Sequence, residues 1–260
     1  MKKQVSMALA LLVLLTLFAT IASANLSDNL LGYWALDGDG KDSSGNGRDG
    51  EVVGNVVPSE DRLGNPTGAM QFPGTANNHI ALDDFTFPGA MTLAGWVRID
   101  SFETDGRIIS KQGYGGSRGW SLNVESEANG HVAAFHVASD GNTIIFCETQ
   151  DRIDFAPDEW FHIAGVYEPG DYMEIYINGV LDNTTTDNVP KEQFEPPGVA
   201  IRIGERSAGC PMTGSIDDVI VWTRALSGEE IQQAMGEGGP FAAAVEPGEK
   251  LTTTWGSLKQ

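Results

Sequence analysis

The sequence predicts an all-β fold, an antiparallel β-sandwich of two packed sheets with one short helix near its C-terminal end. Three observations carry this. Turn signals recur roughly every ten residues, the spacing of short strands in a sandwich or barrel. The segments between them alternate apolar and polar residues. Only one stretch combines a helix start signal with helical spacing. The clearest strands lie in residues 159–182. Met173, Ile175 and Ile177 alternate with Tyr172, Glu174 and Tyr176, so one face is apolar. Pro169-Gly170-Asp171 supplies a turn before them, and Asn178-Gly179 one after them. A type I′ hairpin turn needs positive φ at both central residues, which Asn-Gly tolerates. Residues 160–167 are apolar at nearly every position and are expected between two covered faces.

The other elements follow in order. Residues 30–36 form a first strand; 37–49, with glycines, aspartates and serines, form a structured loop. A short strand is expected over 52–57, a loop over 61–68, and strands over 69–72 and 79–82. In 91–100, Met91, Leu93, Val97 and Ile99 share a face with Gly95, opposite Thr92, Trp96 and Arg98. Strands over 107–111 and 119–125 flank the loop Gly113-Tyr114-Gly115-Gly116-Ser117-Arg118. Residues 131–138 and 142–149 pair around Ser139-Asp140-Gly141. A polar loop spans 183–197, and strands over 199–204 and 215–222 complete the set. Ser227, with Glu230 three residues on, is a capping box that starts the helix, which ends near Gly236. Residues 237–260 read as a Gly/Ala/Pro-rich linker and a tail.

Residues 1–24 have the layout of a signal peptide: Lys2 and Lys3, an apolar run, then Ala22-Ser23-Ala24. Export is expected, to an extracellular, cell-surface or periplasmic location, with no stable membrane insertion after cleavage. The chain holds 36 acidic and 16 basic residues, a formal charge of −20. Such a field repels phosphate backbones, which excludes nucleic acid as a partner. Cys147 and Cys210 are an even pair in an exported chain, which suits one disulfide; two buried free thiols are the alternative.

Four stretches then carry a resemblance: MTLAGWVRI at 91–99, EWFHIAGVY at 159–167, EIYINGV at 174–180 and GSIDDVIVWTRAL at 214–226, preceded by WALDGDGKDSSGNGRDG at 34–50. In this order they resemble the laminin G-like jelly-roll domain of bacterial exported proteins, in the concanavalin A-like lectin/glucanase superfamily. The resemblance covers residues 30–236. It implies a non-catalytic module that binds a glycan or a cell-surface protein, often with a structural calcium ion.

Calcium takes six to eight oxygen ligands, commonly from curved loops. Asp37, Asp39, Asp42, Asn46 and Asp49 make the 37–49 loop dense in such groups; solvated Asx-turns are the alternative. In related domains the ion lies between this loop and the last strand, which points to Asp217 and Asp218. Each shares a strand face with apolar residues and so needs a partner, a cation or Arg202 or Arg224. Tyr114 and Arg118 are the candidate ligand-binding residues, on a Gly-rich loop whose aromatic can stack on a sugar. Trp34, Trp96, Trp160 and Trp222 are assigned to the core, and Tyr172 and Tyr176 to an outer face. Glycoside hydrolysis needs two carboxyl groups at fixed separation. The sequence offers Glu168, Asp171 and Glu174 across a turn, or Glu125 and Glu127 at a strand end. The four histidines are scattered and no Ser/His/Asp order stands out, so no catalytic residue is assigned. A glycoside hydrolase and a passive structural or adhesive domain remain as alternative readings.

Overall fold

A computed structural model describes residues 25–153, 158–207, 209–236 and 238–241. The predicted signal peptide and most of the predicted tail lie outside these residues. The elements run β1 (Leu30–Trp34), β2 (Glu51–Val53), β3 (Val57–Ser59), β4 (Ala69–Pro73), β5 (His79–Leu82) and β6 (Met91–Ile99). Next come β7 (Gly106–Lys111), β8 (Trp120–Val124), β9 (Ala133–Ala138), β10 (Ile144–Glu148) and β11 (Trp160–Glu168). The chain continues through β12 (Tyr172–Ile177), β13 (Val180–Thr185), β14 (Ile201–Ile203), β15 (Thr213–Trp222) and α1 (Gly228–Ala234).

The strands form two antiparallel sheets, as expected. The first runs β13-β12-β11-β6-β15-β4-β3, with β1 beside the second half of β15. The second runs β10-β9-β8-β7-β14-β5-β2. Asn178 (φ 51°) and Gly179 (φ 75°) both take positive φ at the β12–β13 turn, as a type I′ hairpin requires. Two expectations needed correction. The strand expected over 52–57 is two strands in different sheets. The break falls at Gly54 (φ +79°), where a Cβ would lie 2.3 Å from the Asn77 carbonyl oxygen. The polar loop expected from 183 begins instead inside β13, where Asn183 pairs with Ile175.

The core fills the space between the sheets. Trp34 and Trp120 are fully buried and sandwich Phe85, with ring centroids 6.4 and 5.8 Å away. The outer face of the first sheet is also covered. Ala94, Ala164, Val166, Tyr176, Ile220 and Trp222 pack beneath Leu226, Ile231 and Ala234. The capping box at Ser227 and Glu230 forms as expected and starts the helix where it meets this face; such a cap contributes about 1 kcal/mol. Tyr176, assigned to an exposed face, is therefore buried, and its hydroxyl donates to Glu174. Trp34 and Trp222 are buried as assigned, whereas Trp96 and Trp160 are half-buried. The folded body extends past 237: Phe241 packs its ring 6.2 Å from that of Tyr33.

Cys147 and Cys210 are free thiols, not the expected disulfide. Cys147 lies on β10, buried, with its thiol toward the Met173 carbonyl. Cys210 follows β14, four strands away across the same sheet. At the ordinary strand spacing that is about 19 Å, and a disulfide requires Cα atoms within about 7 Å.

Candidate functional site

Two polar assemblies lie on the outer faces of the sandwich. The first gathers around Asp217 and Asp218 of the last strand, where the resemblance implied a calcium ion. Its centre is a guanidinium. A register shift in β15 lies between Asp217 and Ile220, and Asp218 there takes φ 48°. The bulge places one extra residue on the strand. Ile216, Val219 and Val221 then face the core, while Asp217 and Asp218 both reach the outer side. Arg62 receives them, with Nη1 2.5 Å from Asp217 and Nη2 2.8 Å from Asp218. Neither Arg202 nor Arg224 fills this role; they pair with Glu205 and Glu230. Asp61 folds the loop that carries Arg62, accepting from the Leu63 and Asn65 amides. The Tyr33 hydroxyl donates to Asp218, and Arg62 also lies over the Trp96 ring at 4.7 Å. Burial and the neighbouring Asp218 carboxylate push Asp217 upward, against the pull of Arg62.

The predicted loop ligands are occupied by the chain itself. Asp42 accepts from the backbone N–H of Tyr33, Ser44 and Arg48. Burial raises its carboxyl, but these bonds outweigh it and hold the pKa below the usual range. Asp39 accepts from the Lys41 amide, Asp49 from the Lys41 ammonium and the Asp42 amide. Asn46 turns its amide to the Leu30 and Leu31 carbonyls. Asp37 is raised by burial and then by Asp218. Among the described residues, no three His, Cys, Asp or Glu side chains gather to hold a metal ion. Asp39, Asp42, Asp49, Asp217 and Asp218 turn oxygens to amide hydrogens, the Lys41 ammonium and the Arg62 guanidinium, an arrangement that does not fit calcium.

His162 lines the same assembly, edge-on to Trp96 at 5.3 Å. Burial, then Arg62, lower its pKa from the ordinary 6.5 to about 3. The folded state therefore holds a neutral ring where the unfolded chain takes a proton, so this ring costs stability as pH falls from 6.5 toward 3. We expect His162→Phe to gain on wild type in melting temperature steadily below pH 6.5, and to show no such trend above it.

The second assembly is the outer face of the second sheet. In β8, Trp120, Leu122 and Val124 enter the core, which turns Ser121, Asn123 and the following Glu125 outward. Strand register extends this pattern into a row across the sheet. Phe146 opposes His136, His136 opposes Ser121, Ser121 opposes Ser110, and Ser110 opposes Arg202. Asn123 opposes Arg107 in a second row. Several of these groups are buried without a hydrogen-bond partner: Ser121 Oγ, Asn123 Oδ1, His136 Nε2 and the Nε atoms of Arg107, Arg202 and Arg206. Ser121 and Asn123 are 0% exposed, and His136 is 5% exposed. Such orphans are uncommon in folded proteins and each calls for a partner. Burial, followed by Arg107, lowers His136 well below its ordinary pKa, and Arg118 and Arg206 act in the same direction. Burial raises Glu125 to about 7, although Arg107 opposes it.

Loops build the rim. The predicted ligand-binding residue Tyr114 is 58% exposed, with the Arg206 guanidinium 4.1 Å from its ring centroid. Arg118 donates its backbone N–H to Gly141, and Gly116 donates to the Asn142 side chain, which locks two loops together. Phe146, 48% exposed, stands at the other edge, 4.7 Å from the His136 ring. At the far end of β8 a cleft of about 500 Å³ is lined by Ser101, Phe102, Glu103, His131 and Arg152. Tyr114 and Arg118 therefore border this face, whereas the seven aspartate and asparagine candidates do not. Phe146, Ser121, Asn123 and the other arginines were missed. That Ser121 and Asn123 share a face was signalled by the alternation of residues 120–125, polar at every second position.

Of the carboxylates considered for hydrolysis, Glu174 and Glu125 lie in different sheets. Glu174 is engaged by Tyr176 in the first sheet. Glu125 sits in the second, 3.5 Å from Arg107. Glu127 opens a 3-10 turn after β8.

The fold is similar to that of several solved structures, toxin binding domains among them. The binding domain of Paraclostridial Mosquitocidal Protein 1 is 19% identical, with a TM-score of 0.61 over 80% of this chain and 52% of that one. Domain 4 of AbnA, a GH43 extracellular arabinanase from Geobacillus stearothermophilus, solved with arabinotriose, is 17% identical. Its TM-score is 0.58 over 78% of this chain and 97% of that one. A human protein, Adhesion G-protein coupled receptor D1, is 27% identical over 101 residues, 38% of this chain. The chain thus spans 11% of that receptor and 52% of the toxin fragment. Residues 73–232 match the family Laminin_G_3 of the concanavalin A-like lectin/glucanases superfamily. A sandwich with these strands in this order, matched over most of its length, belongs to that laminin G-like family.

Proposed function

We propose that this chain is an exported, non-catalytic binding module that lays a carbohydrate chain along the outer face of its second sheet. One observation carries the reading: a floor of buried, unpartnered hydrogen-bonding groups lies between two exposed aromatic rings, Tyr114 and Phe146. Sugars present hydroxyls for such a floor and C–H faces for such rings. The arabinotriose complex of a domain with this fold supports a sugar ligand. On the other outer face α1 covers the apolar part and Arg62 is taken up by Asp217 and Asp218, which favours the second sheet for a ligand. The composition of residues 1–24 supports export. The donor set gives calcium no part in this reading.

A glycan array with the chain lacking residues 1–24 tests it. We expect defined hits that weaken about five- to tenfold in Tyr114→Ala and again in Phe146→Ala, since each ring contributes roughly 1 kcal/mol. A blank array moves the function to a protein partner. Release of reducing sugar from any hit, lost in Glu125→Gln, overturns the non-catalytic reading.

A further inference from the structure

We infer that the carbohydrate taken by the second-sheet face is an acidic one, carrying carboxylate or sulfate groups held by Arg118 and Arg206. The inference rests on the glycan reading above. Four guanidinium groups, Arg107, Arg118, Arg202 and Arg206, gather on and around this one face, in a chain whose formal charge is −20. Two of them are answered: Arg107 lies 3.5 Å from Glu125, and Arg202 lies 3.8 Å from Glu205. Glu205 is shared further, with His79 at 2.9 Å and the Asn77 amide. Among the described residues, no carboxylate pairs with Arg118 or Arg206. Arg62 and Arg224, by contrast, meet acids directly, Arg62 twice.

The two unanswered guanidiniums sit where a ligand would reach them. The Arg206 guanidinium carbon lies over the exposed Tyr114 ring at 4.1 Å, so a sugar beside that ring comes within reach of the guanidinium. Its Nε is buried and without an acceptor. A guanidinium presents parallel N–H donors that match a carboxylate or sulfate in a two-point contact, which a lysine cannot do. Arg107, Arg118 and Arg206 all lie near enough to act on His136, against Asp105 and with Glu125 3.6 Å from its ring. Removing an anion's water shell there is compensated by fixed positive groups, while a neutral sugar gains nothing from them.

Calorimetric titration of the chain lacking residues 1–24 decides the matter with two matched pairs of probes. One pair is an oligogalacturonide and its fully methyl-esterified form; the other is a chondroitin sulfate hexasaccharide and its desulfated form. Binding of at least one acidic probe tenfold or more tighter than its masked partner is expected. The first pair winning identifies carboxylate as the recognised group, the second sulfate. Arg206→Gln and Arg118→Gln, each shown to be folded by its melting temperature, should each erase most of that preference. Arg206→Lys should restore only part of it. Affinity for the acidic probe should fall with added salt. If neutral glycans from the array bind while neither acidic probe outbinds its masked partner, this inference fails and the glycan reading stands. If no glycan binds at all, both fail.

Discussion

Arg62→Met lowers stability by about 3–5 kcal/mol, the usual cost of leaving a buried charge without its partner. For a domain of this size that is a fall of roughly 10 °C in melting temperature. The reason is local. Asp217 and Asp218 are adjacent, both turned outward by the bulge, and one guanidinium serves both. Without it, two carboxylates face each other under Trp96 and Tyr33, with Asp37 and Asp61 acting on them as well. Neutralising the acids in the same molecule, with Asp217→Asn and Asp218→Asn added to Arg62→Met, should recover more than half of the loss. Asparagine tolerates the positive φ of position 218, so the backbone need not change. Chemical denaturation of the single and triple variants checks this. An unchanged single variant would show that solvent, not Arg62, keeps the aspartates charged.

Asp42→Ala is expected to cost about 3 kcal/mol, because three backbone N–H groups lose one charged acceptor. The loss should be the same in calcium and in EDTA. One of those donors is Tyr33, whose own hydroxyl reaches Asp218, so the early loop and the last strand are coupled through this side chain. Asp42→Asn keeps an acceptor oxygen and should lose about half as much. Thermal unfolding in both buffers is the measurement. A cost that appears only in calcium would return Asp42 to the role of a metal ligand.

Much of the fold could be read from residue order. The alternation in residues 91–99 and 172–177, the Asn178-Gly179 turn and the Ser227–Glu230 box each act locally, so a short window contains the whole cause. What escaped depended on distant contacts or on one departure from regularity. A strict period of two assigns Asp217 and Asp218 to opposite faces; a single positive φ at Asp218 puts them on one. The partner of that pair lies 155 residues away in sequence, on a loop with no regular structure of its own. Acidic residues in the 37–49 loop announce oxygen donors equally for a metal or for turn amides, and only geometry separates the two. The candidate site was legible at Tyr114 and Arg118, where composition marks a loop. It was hidden at Phe146 and Ser121, because only strand register shows that they share a row.

The position of β15 has a further consequence, for the order in which the molecule forms. It is the last strand among the described residues, yet it lies inside the first sheet, against β6 on one side and β4 and β1 on the other. Leu30 pairs with Trp222, so the first and last strands meet only when nearly all of the domain has been made. Closing such long loops costs entropy before any contact returns it, which makes folding slow. A nascent chain that stops short of residue 213 leaves three strands with bare edges, each able to recruit a foreign strand. Synthesis therefore yields no stable half-domain: the sandwich either receives its central strand or stays open.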